Sequence, residues 1–257
     1  MRYRAVALPP EHGGWGLLFE PILIGLIAAP SRTGVLLALA AIAAFLARQP
    51  LKILLTDLAA RRRLPRTRHA AWFAAGYLLV CAAAAGLAFA RVGARLLPPL
   101  AWAAPLALVQ VAYDARNRSR GLLPELCGAA ALAASVAAIA AAEGFHVRFA
   151  MALWAVAAGR TLPAMVTVRT RVLRLHGEAA SATPPLLAHV SAMAAIFWLQ
   201  TQALVPRGVL TLLSILAARA GFSLRASAPP VRAQRIGIEE LTVGLAAAVL
   251  LGVLTRR

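Results

Sequence analysis

Long apolar stretches alternate with short polar punctuation along the whole chain. Nine such stretches can be drawn, at 14–30, 34–55, 69–90, 96–113, 122–142, 147–168, 184–204, 207–222 and 237–254. Each is close to the roughly 20 residues that an α-helix needs to cross the hydrocarbon core of a bilayer. Prolines and glycines mark the boundaries: Pro30, Pro98 and Pro99, Gly121, Gly144, Pro184 and Pro185, Pro206, and Pro229 and Pro230. The stretches are rich in alanine, whose small side chain lets helices approach closely in lipid. The longest connections, after Asp57, Arg169 and Gly221, are about a dozen residues each, too short for a soluble domain. The pattern predicts an all-α integral membrane protein, one transmembrane domain over residues 1–257 with about nine spanning helices. The short segment 207–222 also admits a re-entrant reading.

Composition sharpens this class. Hydrophobic residues make up 61% of the chain, beyond the usual balance of a soluble domain. A formal net charge of +18 would ordinarily suggest nucleic acid. Here the basic residues lie in short connections between apolar runs and have no soluble face to sit on, which excludes that partner. They obey the positive-inside rule instead. With the N-terminus in the cytoplasm, that side receives Arg48 and Lys52, the Arg61–Arg68 cluster, Arg116–Arg120, Arg169–Arg174 and Arg219–Arg235. The other side keeps Arg32, Arg91, Arg95, Arg148, Arg207 and the C-terminal Arg256 and Arg257. Nine spans then place the C-terminus outside, in a multi-pass inner-membrane protein. Cys81 and Cys127 fall in apolar segments without metal-ligand spacing and read as packing residues. The first apolar run carries Glu20 and leads directly into a second span, so it reads as an anchor rather than a cleaved signal.

Charge at membrane depth is costly, and the polar groups that lie there are the candidates for chemistry. Glu11-His12-Gly13-Gly14-Trp15-Gly16 enters the first span, and Glu20 follows about two turns beyond His12 on a similar face. The glycines allow close approach of a ligand or another helix; the plain alternative has Glu20 neutralised by an arginine from elsewhere in the bundle. Arg48 and Lys52, one turn apart beside Pro50, suit a phosphate or carboxylate, although snorkelling to the headgroups is a simpler use of cations there. Tyr113, Arg116 and Arg120 share a face at the end of the fourth span, where Arg116–Arg120 also reads as a simple stop. Arg160, Arg169, Arg171 and Arg174 surround the end of the sixth span, with Pro163 available to open the helix. Glu239 and Glu240 begin the ninth, as a helix-end charge pair or as counter-ions to buried arginines. His69, His146 and His189 read as interface or packing residues.

The Glu11–Trp15 motif after a proline pair, the Arg48-Gln49-Pro50-Leu51 segment and the Arg169-Thr170-Arg171 segment resemble the YwiC-like family of bacterial membrane proteins. That resemblance runs over nearly the whole chain and implies no particular reaction. A fainter resemblance, in span number, orientation and the stretch Tyr113–Gly128, is to the UbiA-type intramembrane prenyltransferases. It implies a UbiA-like bundle and a prenyl diphosphate held through Mg²⁺ by two aspartate-rich motifs. The chain departs from that pattern: only Asp57 stands at the first position, and Arg169, Arg171 and Arg174 occupy the second. Mg²⁺ needs hard oxygen ligands, so no metal site and no cofactor are expected.

These features lead to the expectation of a cytoplasm-facing cavity that binds an anionic lipid, such as a phosphorylated isoprenoid, and that modifies it if the protein is an enzyme. Arg48, Lys52, Tyr113, Arg116, Arg160, Arg169 and Arg171 are the candidate phosphate-binding residues. His12, Glu20 and Asp57 are the candidate acid/base residues. The alternatives are a small-anion or lipid transporter with Glu20 and Arg160 as coupling residues, and a non-catalytic assembly subunit.

Overall fold

Apolar side chains recur all round these segments, so helices that satisfy their own backbone are the structure such a chain can adopt in lipid. The computed structural model describes residues 3–9, 12–61, 64–118, 121–225 and 232–256. A short helix, α1 (Tyr3–Ala7), precedes α2 (His12–Ala28), α3 (Arg32–Ala59), α4 (Pro65–Val92) and α5 (Leu97–Ala115). Then come α6 (Leu122–Ala142), α7 (Val147–Leu175), α8 (Thr183–Thr201), α9 (Arg207–Ser223) and α10 (Ala233–Thr255). Five helical stretches among the described residues are long and apolar enough to cross a membrane: Arg32–Ala59, Pro65–Ala115, Leu122–Ala142, Val147–Leu175 and Ala233–Thr255. A shorter apolar helix covers Gly13–Ala28. The protein is a multi-pass helical membrane protein.

Each expected apolar stretch coincides with a helix, but the helices overrun the apolar limits. Residues 34–55 became Arg32–Ala59, 69–90 became Pro65–Val92, and 147–168 became Val147–Leu175. Arginine and lysine are good helix formers, so charged termini continue the helix instead of unravelling into loops. Asp57, Arg169 and Arg171 consequently sit on helices and not in the connections where the hydropathy pattern left them. The helix starts are locally encoded. Ser31 caps α3 by accepting the Gly34 N–H at 2.9 Å, and Pro65 opens α4 at a position where its missing N–H costs nothing.

The 51-residue stretch Pro65–Ala115 is not one straight rod. Gly93 adopts φ +58°, and a 3-10 turn over Gly93–Leu96 redirects the chain between α4 and α5. Leu96 packs with Leu37, Ala88 and Ala142 at one end of the bundle, while Asp114 reaches Arg48 toward the other. Thr67 at the start of α4 also reaches Asp57 on α3, and a single rod could not bring both Thr67 and Asp114 to the same end of that helix.

The centre of the bundle is α6, which packs against α2, α3, α5 and α7. Its buried positions are nearly all alanine, including Ala129, Ala133, Ala137 and Ala140. Four neighbours can crowd one helix because those side chains are small. Larger residues fill the remaining space: Ile24, Val136, Leu153, Val156, Ile196 and Leu251 form one continuous apolar cluster. The outer faces of α4 and α5 expose Trp72, Leu79, Trp102 and Leu108, the surface that lipid covers. Ion pairs collect the polar termini at the opposite end from Leu96. Arg48 meets Asp114, Arg169 meets Glu125, Arg171 meets Glu239 and Arg219 meets Glu240. This is the arginine-rich end.

Candidate functional site

A buried ion pair joins α2 to α7. Arg160 Nη1 donates to Glu20 Oε2 at 2.5 Å, and the two side chains are 5% and 4% exposed. The pair fits because α10 presents Gly244 to it. A Cβ there would overlap Glu20 Oε1 and stand 2.8 Å from Arg160 Nη2. Pro21 directly follows the acid and Pro163 lies three residues past the arginine, both inside their helices. Each removes a helical hydrogen bond, leaving the Leu17 and Gly159 carbonyls without their usual donor. The opened backbone of both helices therefore borders the ion pair.

From Arg160 a narrow polar cavity runs toward the arginine-rich end. Thr167, His189, Arg219 and Glu240, one from each of α7 to α10, line it among apolar neighbours. Thr167 Oγ1 donates to the Pro163 carbonyl at 2.9 Å and lies 3.3 Å from His189 Nε2. Its one proton is committed to that carbonyl, so the histidine contact requires an N–H on Nε2. The cavity measures about 20 Å³, room for one water molecule and not for a phosphate. It shares Arg219 and Val243 with a wider groove between α9 and α10, where Arg232, Arg235 and Glu239 also stand. Arg219 holds Glu240 at 2.6 Å, and Glu239 serves both Arg171 at 3.5 Å and Arg235 at 3.1 Å. Arg174 donates to the Ala180 and Leu224 carbonyls, at 2.8 and 2.7 Å. Polar lining thus extends from the bundle's end to its middle.

The other sequence candidates occupy separate places. Asp57 is buried at the α3–α4 turn, where Arg66 grips it through Nε at 3.1 Å and Nη2 at 2.7 Å and Thr67 Oγ1 donates at 2.7 Å. This clasp closes a helical hairpin. Glu20 and Asp57 therefore belong to different clusters, and the side chain of His12 lies outside the described residues, as does Glu11. Arg48 holds Asp114 through Nε at 2.8 Å and Nη2 at 3.3 Å. The Gln110 amide, turned to suit its neighbours, accepts from Arg48 Nη2 at 2.8 Å and donates to the Pro124 carbonyl. A Cβ at Gly128 would occupy the space of that amide, which explains the glycine. Tyr113 and Lys52 are half-buried and Arg116 is exposed at the end of α5. Arg169 meets Glu125 at 3.1 Å, with both side chains about one-third exposed.

The glycine motif near the N-terminus serves helix packing. Gly14 faces the Phe45 ring, and Trp15 stacks edge-on against that ring with centroids 5.3 Å apart. Gly16 leaves room for Leu241 of α10. Sequence reasoning gave His189 no role and did not single out Thr167, Arg219 or Gln110 for a site. A lone histidine in an apolar run carries no pattern to mark it.

The donor set does not suit magnesium. Asp57 already has Arg66 and Thr67 on its oxygens, and among the described residues no three of His, Cys, Asp or Glu gather as a metal cage.

No curated protein and no solved structure matches the chain, and neither comparison supports the resemblance to UbiA-type enzymes. Residues 8–142 match the family described as YwiC-like protein, a region that runs from the entry of α2 to the end of the central helix α6. With half of its length in that match, this chain belongs to the YwiC-like family.

Proposed function

We propose that the protein binds a phosphate-bearing anion, carried on an isoprenoid or another membrane lipid, in the polar interior between α7, α9 and α10. The observation that carries this reading is the charge balance of those walls. Among the described residues Arg160, Arg171 and Arg219 are met by Glu20, Glu239 and Glu240, and Glu239 also holds the exposed Arg235. Among the described residues Arg174 has carbonyl partners in place of a carboxylate. A surplus of guanidinium groups inside a lipid-embedded bundle favours a ligand of opposite charge. Guanidinium also matches phosphate oxygens in pairs. In this reading nine helices cross the membrane, and the arginine-rich end lies in the cytoplasm under the positive-inside rule. The lipid chain would rest against the apolar helix faces. Compared with the sequence expectation, the site moves from Arg48, Lys52 and Arg116 toward Arg160, Arg171 and Arg219.

The test is binding of farnesyl phosphate to the protein in nanodiscs, followed by native mass spectrometry. Arg219→Ala should weaken binding about 10- to 100-fold, the equivalent of one charge-assisted contact. Equal binding by the folded variant and the parent protein would remove this reading. Passage of a small anion across the membrane is a second reading, favoured by the position of Glu20 and Arg160 between two proline-interrupted helices.

A further inference from the structure

We infer that a phosphate group takes the place of Glu20 on Arg160, and that Glu20 accepts one proton as it leaves, so that each binding event consumes a proton. The inference rests on the phosphate-binding reading above and specifies how that same site is regulated.

For a phosphate that binds Arg160, space and charge together favour the exchange. The cavity beside the pair holds about one water molecule, so a phosphate cannot sit next to the Glu20–Arg160 contact while that contact stays closed. The phosphate oxygens must use the guanidinium edge that now faces Glu20 Oε2. Glu20 then keeps a carboxylate in a site 4% exposed, with its partner Arg160 engaged elsewhere. An unpaired buried carboxylate is far costlier than its neutral acid, and proton uptake is the way such a group escapes the penalty.

Among the described residues, the surroundings of Glu20 offer no substitute cation. Arg160 faces it from α7, and Glu240 from α10 adds a second negative charge nearby. The helices α3 and α6 meet α2 with apolar side chains, among them Phe45, Leu132 and Ile139. Gly244 offers only backbone. The proton reaches the carboxylate oxygen released by Arg160 Nη1 along the cavity, past Glu240 and His189. No covalent bond other than this O–H forms, and none to phosphorus breaks. The charge of the pair is balanced before and after: carboxylate with guanidinium in one state, phosphate oxygen with guanidinium beside a neutral acid in the other.

The experiment measures binding of farnesyl phosphate, and separately of inorganic phosphate, to nanodisc-embedded protein across pH. At pH values above both the second ionisation of a phosphate monoester, near pH 6, and the ionisation of Glu20 in the ligand-free protein, the parent protein should lose affinity about tenfold for each pH unit. Glu20→Gln, which mimics the neutral acid, should bind more tightly and lose this slope. An infrared difference spectrum of the unsubstituted protein gives a readout that needs no variant to fold: ligand should bring up a protonated-carboxyl band, and that band should persist in Glu240→Gln. Binding by farnesyl phosphate alone assigns the phosphate to a lipid; binding by both shows that free phosphate suffices, and either supports the exchange. A pH slope equal in the parent and Glu20→Gln, with no carboxyl band, overturns the proton exchange and leaves the binding reading standing. Failure of both ligands to bind the parent and Glu20→Gln at any pH overturns the binding reading and the exchange with it.

Discussion

Two carboxylate–guanidinium contacts in this bundle look alike in geometry and differ in what they do. Asp57 and Arg66 are nine residues apart, joined across the connection between α3 and α4, and Arg66 is 48% exposed. Glu20 and Arg160 are 140 residues apart, and neither reaches solvent appreciably. The first closes a hairpin at the end of the bundle, where water competes for the half-exposed arginine and a hydroxyl from Thr67 helps hold the acid. The second ties distant helices together at a depth where an ion has no other way to be satisfied. A charge pair with a local partner and solvent nearby suits construction. One that spans the sequence, stands between two proline-interrupted helices and opens onto a polar cavity suits binding.

Removing the arginine from each pair tests that distinction most severely. Arg160→Ala strands a buried carboxylate and should destabilise the protein by about 3–5 kcal/mol. Arg66→Ala leaves Thr67 and water on Asp57 and should cost about 1–2 kcal/mol. Thermal unfolding of both variants in one detergent reads the ordering, and equal shifts would erase the distinction.

A subtler pair of substitutions adds one methyl group to each region. Gly244→Ala forces the Glu20–Arg160 pair to move and should cost about 1–3 kcal/mol. Gly76, on α4, has open space where its side chain would be, so Gly76→Ala should be neutral or stabilising by up to about 1 kcal/mol through helix propensity. The same unfolding assay separates them by sign. A modest effect is expected from Thr67→Val, which deletes one of several hydrogen bonds to Asp57 and should cost about 0.5–1.5 kcal/mol, with phosphate binding unchanged. Loss of ligand binding in that variant would bring Asp57 back as a site residue.

The helical segmentation was legible because the bilayer sets the length of each apolar run. Where the helices end was less legible, since Asp57 and Arg169–Arg174 lie in helical backbone that hydropathy alone cuts short. The polar depth of Glu20 and Arg160 could be read from their apolar flanks. Their partnership could not, because nothing local links residues in the first and sixth apolar runs. The sequence alternative that an arginine neutralises Glu20 describes the contact found, and Glu239 and Glu240 likewise meet Arg171 and Arg219. His189 and Arg219 acquire their position only when α7 to α10 converge, and no spacing along the chain announces it.

The missing side chain at Gly244 makes positions 20 and 244 sharers of one fixed volume, although they are far apart in the chain. Whatever one gains in bulk, the other must surrender. An alanine at 244 would sit comfortably only against an acid shorter by a methylene, so Glu20→Asp is the natural suppressor of Gly244→Ala. Substitutions at these two positions are therefore coupled: the notch in α10 limits how long the acid in α2 can be.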